Sequence, residues 1–232
     1  MRRSVVQDVA SDIRRQFKMN LALFDFDGTI TERDTFSSFL RFAVRRHRIV
    51  LGALPLSPVI VCYRLGLIAA HQARPIVSRV SFQGEAVDSI RDFGRRYAAE
   101  VLPRVIRKQA LERIQWHQGQ GDTVVVVSAS LDAYLSPWCD RIGVECICTE
   151  LEERDGRLTG RYCHGDCSGP AKVRRILERY DLSRYPVIYA YGDTSDDREM
   201  LELAHRKFYR WREIQDWAEA VALGVEHPES AS

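Results

Sequence analysis

Five short runs of largely apolar residues recur along the chain. Runs of this length that stop at a polar residue or glycine predict buried β-strands rather than helices. The runs cover residues 21–24, 123–127, 144–148, 187–191 and 207–211, the last of which we expect at the sheet edge.

Segments with helical periodicity separate these runs, and strands that alternate with helices predict a parallel α/β sheet with right-handed connections. Residues 151–162 interrupt the alternation, because Asp155-Gly156 between two polar strand-like segments is typical of a hairpin. The predicted helices cover residues 104–118, 131–142, 170–180, 196–204 and 213–222.

Residues 35–102 contain no run that predicts a sheet strand. Residues 35–46 and 89–101 have helical periodicity, and a long apolar stretch with two prolines lies between them. This pattern predicts an α-helical cap over 35–102, inserted into a catalytic core formed by 1–34 and 103–232.

Composition adds three expectations for this chain of 232 residues, of which 45% are hydrophobic and 28% charged. A net charge of +2 is too small to create a positive field that would attract nucleic acid. The basic first 20 residues lack the apolar segment of a secretory signal, so reduced cysteines in the cytoplasm are expected. Cys163 and Cys167 lack the paired spacing of a zinc site.

Polar residues follow several of the predicted strands. In a parallel α/β sheet, ligands bind at the carboxyl ends of the strands, so these residues are candidates for a binding site. Asp25 and Asp27 come directly after the first strand, and Gly28 allows close approach of a ligand to the backbone. One carboxylate can attack phosphorus and the other can transfer protons. Taken alone, the same residues also suit a helix cap and turn.

Three later positions complete the pattern. Ser128 follows the 123–127 run and offers a hydroxyl, or else a helix cap. Lys172 lies in the first turn of a predicted helix, where the dipole disfavours a cation, so it has either an anionic partner or a solvated surface position. Residues 192–197 bring three carboxylates together after a strand, and a hard cation such as Mg²⁺ would relieve their repulsion.

The order of a strand-end DxDGT, a strand-end Ser, a Lys and a strand-end GDxxxD resembles that of the haloacid dehalogenase superfamily, and covers essentially the whole chain. The cap position is similar to that of the phosphoserine-phosphatase-like branch, subfamily IB. The resemblance implies a Rossmann-like core with a helical C1-type cap and a Mg²⁺-dependent phosphatase. It further implies Asp25 as nucleophile and Asp27 as general acid/base. The implied metal ligands are Asp25, the backbone carbonyl of Asp27, Asp193 and, in support, Asp197. The implied phosphate-binding residues are Gly28, Thr29, Ser128 and Lys172.

Three positions depart from the family pattern. Asp196 stands where phosphoserine phosphatases commonly have Asn, and Gly28 where many have Ser. Asp34 occupies the place of a Glu that meets the substrate amine, so it is either a substrate-side residue or the N-cap of the first cap helix.

The cap carries the information about substrate. Residues 49–70 are apolar with one charge, Arg64, and are nearly long enough to span a bilayer. Prolines within the stretch favour a hairpin at the membrane surface. Arg45, Arg46 and Arg48 precede this stretch. Each basic residue near an anionic membrane surface contributes about 1 kcal/mol of binding free energy, so this cluster favours contact with anionic lipid. Alternatively, the stretch is the packed core of the cap.

The cap pattern DTFSSFLRFAVRRHR, followed by LPLSP, resembles phosphatidylglycerophosphatases of the C type, which act on a lipid phosphate at the inner membrane. We therefore predict a lipid phosphatase, cytoplasmic or peripheral at the inner face of the cytoplasmic membrane. A phosphatase for a soluble metabolite such as phosphoserine, a phosphotransferase and a phosphate-sensing binding module are the alternatives. The oligomeric state is left open.

Overall fold

A computed structural model describes residues 19–44, 56–63 and 65–223. Its centre is a six-stranded sheet with strand order β3-β2-β1-β6-β7-β8. All neighbouring strands run parallel except β7 and β8, which form an antiparallel edge. The strands are β1 (Leu21–Phe24), β2 (Thr123–Leu131), β3 (Glu145–Thr149), β6 (Ile188–Gly192), β7 (Arg206–Tyr209) and β8 (Arg212–Ile214).

The central strands are buried on both faces, as expected for a parallel sheet covered by helices. Alternate residues of β1 point to opposite sides, so that Ala22 and Phe24 belong to one hydrophobic core and Leu21 and Leu23 to the other. The covering helices are α1 (Phe36–Ala43), α2 (Ala70–Phe82), α3 (Val87–Glu100), α4 (Lys108–Gln120), α5 (Asp132–Ile142), α6 (Pro170–Arg179), α7 (Arg198–Glu202) and α8 (Trp217–Ala222).

Helices α1, α2 and α3 extend the core on the α5 side of the sheet. Phe39 of α1 packs against the rings of Phe82, Tyr97 and Tyr134. Gly94 brings α3 close to α5, because a Cβ at this position would lie 1.8 Å from the carbonyl oxygen of Ala133. These contacts fix α1 and α3 over the carboxyl ends of the strands.

A hairpin of β4 (Leu151–Arg154) and β5 (Arg157–Tyr162) leaves the sheet and docks on α2. The backbone N–H of Gly84 donates to the carbonyl of Leu158 at 2.8 Å, and the N–H of Leu158 donates to Glu85 at 2.9 Å. The hydroxyls of Ser78 and Tyr162 share a hydrogen bond of 2.6 Å. The hairpin therefore joins the helical region to the sheet by backbone and side-chain bonds.

The predicted fold class is confirmed: a largely parallel sheet is flanked by helices, with the predicted hairpin in place. The first four strands occur within a few residues of their predicted positions, but β2 continues beyond Ser128 to Leu131. The predicted edge strand 207–211 corresponds to β7, but β8 follows it after a tight turn and forms the sheet edge instead. Helix α2 was not predicted, because Pro75 and its polar composition weaken the periodicity.

The predicted apolar segment 49–70 lies partly outside the described residues. The four arginines discussed with it lie outside them altogether: Arg45, Arg46, Arg48 and Arg64. Residues 56–63 are helical, and several apolar side chains in this helix or shortly after it are exposed, including Val61, Leu65 and Leu67. Within the described ranges, no helix has the length and apolar character needed to cross a membrane.

Candidate active site

Asp25 is the first residue after β1, and its backbone N–H donates to the carbonyl of Tyr191 on β6 at 2.9 Å. The side chain of Lys172, from the first turn of α6, reaches the Asp25 carboxylate. Its Nζ donates to Asp25 Oδ1 and to Asp197 Oδ1, both at 2.6 Å. Because the lysine is only 2% exposed, these charge-assisted bonds form away from bulk water.

The turn after β6 presents the other acidic residues. Asp197 Oδ2 accepts hydrogen bonds from the backbone N–H of Asp193 at 3.0 Å and of Thr194 at 3.1 Å. Gly192 makes this turn compact, because a Cβ there would lie 2.5 Å from Asp197 Cβ. The hydroxyl of Thr29 donates to Asp193 Oδ1 at 3.0 Å, which links this turn to the loop after β1.

Asp25, Lys172, Asp193 and Asp197 together form what we call the carboxylate cluster. One oxygen from each of its three carboxylates lies within 4.8 Å of the others. Burial and the charges of Asp197 and Asp193 raise the pKa of Asp25 well above its ordinary value, against the opposing effect of Lys172. Burial and Asp197 raise the pKa of Asp193 to about 7.

The cluster suits a hard divalent cation. Three carboxylates with one ammonium leave excess negative charge, and the raised pKa values of Asp25 and Asp193 are the expected result of that charge together with burial. Carboxylate oxygens of this kind suit Mg²⁺, which is commonly held by one or two carboxylates plus a substrate phosphate. The donor set therefore fits the metal implied by the family.

Asp27 has a different environment from Asp25. Its Oδ1 accepts hydrogen bonds from the backbone N–H of Thr35 at 2.9 Å and from the Thr35 hydroxyl at 2.6 Å, and its Oδ2 accepts from the Ser130 hydroxyl at 2.8 Å. Burial and the charge of Asp34 raise the pKa of Asp27, while these hydrogen bonds lower it, and the net shift is upward. The Asp27 carboxylate is thus bonded toward α1 and β2, whereas Asp25 is bonded to Lys172.

Gly28 has a conformation that explains its identity. Its φ of +85° lies in the left-handed region, and a Cβ would lie 2.1 Å from Asp193 Oδ2. A serine therefore does not fit this arrangement of Asp193 without a backbone or side-chain shift. This is a physical reason for the departure from the phosphoserine phosphatase pattern at position 28.

The remaining predicted site residues have mixed placements. Ser128 is buried on β2, and its Oγ accepts a hydrogen bond from the N–H of Ser130 at 3.1 Å. The carboxylate of Asp34 accepts from the backbone N–H groups of Phe36 at 3.2 Å and Ser37 at 3.0 Å, which is the capping arrangement considered as its alternative. Asp196 is partly exposed beside the cluster.

Sequence reasoning missed the residues that surround Asp27. Thr35, Ser130 and Tyr134 bring their hydroxyls together, with Thr35 Oγ1 3.3 Å from Ser130 Oγ and 3.1 Å from Tyr134 OH. The repeated Ser at 128 and 130 was a usable signal, because alternate residues of a strand share a face. Arg74 on α2 was also missed, and its Nη1 lies 3.7 Å from Asp166 Oδ1.

An open parallel sheet with acidic residues after β1 and β6, and a lysine from a later helix, defines a hydrolase of the haloacid dehalogenase class. A haloacid dehalogenase-like hydrolase family model matches residues 22–202, and the chain belongs to this family.

Two relatives are similar to this chain over most of its length. The chain is 32% identical over 196 residues to protein CicA of Caulobacter vibrioides, covering 82% of this chain and 85% of that protein. It is 25% identical over 199 residues to the histidinol-phosphatase of Neisseria meningitidis serogroup C, covering 79% of this chain and 86% of that enzyme.

The fold is similar to that of a phosphoserine phosphatase solved as a phospho-aspartyl intermediate analogue. The TM-score is 0.59 at 18% identity, covering 89% of this chain and 99% of that chain. The family match and the phosphatase among the relatives support a phosphatase, and the chain shares its fold with phosphoserine phosphatases.

Proposed function

We propose that the protein is a Mg²⁺-dependent phosphomonoester hydrolase that forms an aspartyl-phosphate on Asp25. The observation that carries this proposal is the unequal environment of two carboxylates two residues apart. Asp25 is bonded to the Lys172 ammonium among the acids of the carboxylate cluster, whereas the buried Asp27 accepts hydrogen bonds from the hydroxyls of Thr35 and Ser130. Two carboxyl groups with different surroundings suit a nucleophile and a general acid.

In the first half-reaction a carboxylate oxygen of Asp25 attacks phosphorus, the bond from phosphorus to the leaving oxygen breaks, and Asp27 gives its proton to that oxygen. In the second, Asp27 takes a proton from water as the water oxygen attacks phosphorus. The bond between phosphorus and Asp25 then breaks and inorganic phosphate leaves. A phosphotransferase differs only in that an alcohol replaces water in the second step.

The other residues of the site hold charge in place. Lys172 neutralises Asp25 and the transferred phosphoryl group, and Gly28, Thr29 and Ser128 line the phosphate site. Asp25, the backbone carbonyl of Asp27 and Asp193 would hold Mg²⁺, with Asp197 in support. The ion would supply positive charge to the phosphoryl oxygens.

For the substrate we propose a lipid phosphate such as phosphatidylglycerophosphate, reached through a cap formed by residues 35–102. The exposed apolar residues Leu65, at 65%, and Leu67, at 69%, support this proposal, because they give this region a surface suited to a lipid interface. In this proposal the enzyme is cytoplasmic and binds the inner face of the membrane peripherally. A small soluble substrate is the alternative, and the histidinol-phosphatase relative supports that class.

The test compares two substrates in the presence of Mg²⁺: phosphatidylglycerophosphate in mixed micelles and 4-nitrophenyl phosphate in solution. Replacing Leu65 and Leu67 with Ser should lower kcat/KM on the micellar substrate and binding to anionic vesicles, and leave the soluble ester unchanged. The control variant is Trp116→Ser, because Trp116 is also an exposed apolar residue but lies on α4, outside the proposed cap.

Equal loss on both substrates in a folded double variant, or no vesicle binding by the parent, favours the soluble-metabolite phosphatase. A second variant, in which Gln replaces Arg45, Arg46 and Arg48, tests the electrostatic part of vesicle binding. Vesicle binding should then weaken as it does at high salt, since charges at the surface are screened over about 8–10 Å.

A further inference from the structure

A cavity of about 430 Å³ lies where α2 meets the β4–β5 hairpin. Arg79 lines it from α2, and Arg154 and Arg161 line it from the two strands of the hairpin. Glu152 adds a carboxylate to the lining. Small-molecule sites in proteins commonly have volumes of about 300–1,000 Å³. Among the described residues that line this cavity, none belongs to the carboxylate cluster or to the proposed phosphate site.

The close approach of β5 to α2 brings the arginines of both elements to this cavity. Gly160 of β5 has a φ of +78°, and a Cβ there would lie 2.9 Å from Arg79 Cα and 3.0 Å from the Arg79 carbonyl oxygen. A residue without a Cβ is therefore needed at this point of contact. Across the hairpin, the hydroxyl of Thr159 donates to Glu152 Oε2 at 2.5 Å. This bond ties the Glu152 carboxylate to a hydroxyl rather than to an arginine.

The three arginines have no counter-ion of their own. Within the part of the chain that the structure describes, their guanidinium groups form no hydrogen bond and no ion pair. By contrast, Arg91 of α3 is paired with Glu153 of the hairpin at 3.0 Å. Three guanidinium groups and one carboxylate leave an excess of two positive charges in the cavity. A cleft lined by one sign of charge concentrates ions of the opposite sign.

We propose that this cavity is an anion site, separate from the active site, that binds a phosphate compound. The planar fork of arginine matches phosphate oxygens in a bidentate manner, and a phosphoryl dianion would neutralise the excess charge. Both a soluble compound such as pyrophosphate and the phosphate of a lipid headgroup have this chemistry. Because the arginines belong to α2 and to the hairpin, the bound anion would link the two elements. The inference does not depend on the proposed phosphatase activity.

Binding of pyrophosphate is measured by isothermal titration in EDTA, so that binding through a metal at the carboxylate cluster plays no part. Arg154→Gln and Arg161→Gln should each weaken binding by at least about tenfold, the value of one charge-assisted hydrogen bond. Arg161→Lys should retain part of the affinity, because it keeps the charge but loses the bidentate fork. Arg184→Gln is the control, since Arg184 is an exposed arginine outside the cavity, and it should bind as the parent does.

Glu152 offers a change of the opposite sign. Glu152→Gln keeps an acceptor for Thr159 but removes a negative charge, so pyrophosphate should bind about two- to fivefold more tightly. Pyrophosphate should also raise the Tm of the parent but not that of the Arg154→Gln/Arg161→Gln double variant. Absence of binding by the parent, unchanged affinity in the arginine variants, or weaker binding by Glu152→Gln overturns the inference.

Two further measurements test the location of the site and the source of its ligand. The double variant should hydrolyse 4-nitrophenyl phosphate as the parent does, and a raised KM in a folded variant would place the arginines in the active site and contradict the inference. A parent without phosphatase activity bears on the proposed function alone, because binding is measured without turnover.

Vesicles of phosphatidylcholine, with and without phosphatidate, distinguish the two sources of phosphate. If the double variant loses binding to phosphatidate vesicles together with binding of pyrophosphate, the ligand is a lipid headgroup. If it loses binding of pyrophosphate alone, the ligand is a soluble phosphate compound. A double variant that retains both kinds of binding contradicts the inference.

Discussion

Two buried polar clusters lie at opposite ends of the same central strands. The carboxylate cluster is at the carboxyl ends of β1 and β6. At the amino ends, His117 of α4 lies between Asp122, at 2.7 Å from Nδ1, and the hydroxyl of Tyr191, at 2.9 Å from Nε2. The side-chain amide and backbone N–H of Asn20 donate to the other oxygen of Asp122 at 3.0 and 3.2 Å. We call these four residues the His117 network.

The two clusters differ in charge balance rather than in burial. In the His117 network every ring nitrogen and carboxylate oxygen has a partner, and burial lowers the pKa of His117 against the opposing effect of Asp122. In the carboxylate cluster three acids share one lysine, and the pKa values of Asp25 and Asp193 are raised. Buried titratable groups therefore occur in both clusters, and unbalanced charge distinguishes the proposed catalytic cluster from the His117 network.

The largest expected difference follows from removing one acid of the carboxylate cluster. Asp25→Asn should lower kcat on 4-nitrophenyl phosphate by more than about 10⁴-fold, because the nucleophile is lost. Its Tm should not fall, since one of three repelling charges is removed. Initial rates and thermal unfolding on the same preparation test both statements, and near-normal turnover by this variant would rule out covalent catalysis at Asp25.

Removing the lysine should have the opposite effect on stability. Lys172→Met leaves three buried carboxylates without their ammonium partner, which should cost about 3–5 kcal/mol of unfolding free energy in EDTA. Excess Mg²⁺ should restore part of the loss, because a cation at the carboxylates replaces some of the missing charge. Urea unfolding with and without Mg²⁺ measures this, and identical stability of variant and parent in EDTA would contradict the charge-balance argument.

A change in the His117 network should affect folding without affecting chemistry. His117→Gln should cost about 2 kcal/mol, because one of two buried hydrogen bonds is lost, while kcat of the folded protein stays unchanged. Because the pKa of His117 is lowered in the folded protein, the unfolded chain binds a proton on His117 at a higher pH than the folded protein does. Its stabilisation is therefore present above about pH 6.5 and is lost as the pH falls below that value.

The His117→Gln variant has no titrating group at this position, so it lacks the pH-dependent stabilisation. The difference in unfolding free energy between parent and variant should therefore shrink as the pH falls from 7.5 to 5.5. Urea unfolding at the two pH values measures it. A difference that stays constant or grows on acidification would contradict the lowered pKa of His117.

The smallest expected effect concerns metal affinity. The pKa of Asp193, about 7 in the absence of metal, means that protons compete with Mg²⁺ for this carboxylate. Affinity should be constant above pH 7 and fall by up to about tenfold for each pH unit below it. Isothermal titration in the Asp25→Asn protein isolates this competition at Asp193, and an affinity that does not change between pH 5.5 and 8 would contradict it.

The sequence was informative where a residue and its role lie close together along the chain. Apolar runs marked the strands, and the ends of those runs marked Asp25 and Asp193. The partners of Asp27 were not predictable in this way, because Thr35 and Ser130 meet only after α1 packs on β2, 95 residues apart in sequence. Arg74 was hidden for a similar reason, since its neighbour Asp166 belongs to a distant loop.

The docking of the β4–β5 hairpin has a mechanical consequence. Residues 35–102 are joined covalently to the rest of the chain at two ends, and the bonds of Gly84 and Glu85 to Leu158 add a third attachment. A body held at three separated points does not swing about a two-point hinge. Any large displacement of α2 therefore requires the hairpin to separate from α2 or to move with it. Amide hydrogen exchange at Gly84 and Leu158 would report the frequency of this opening.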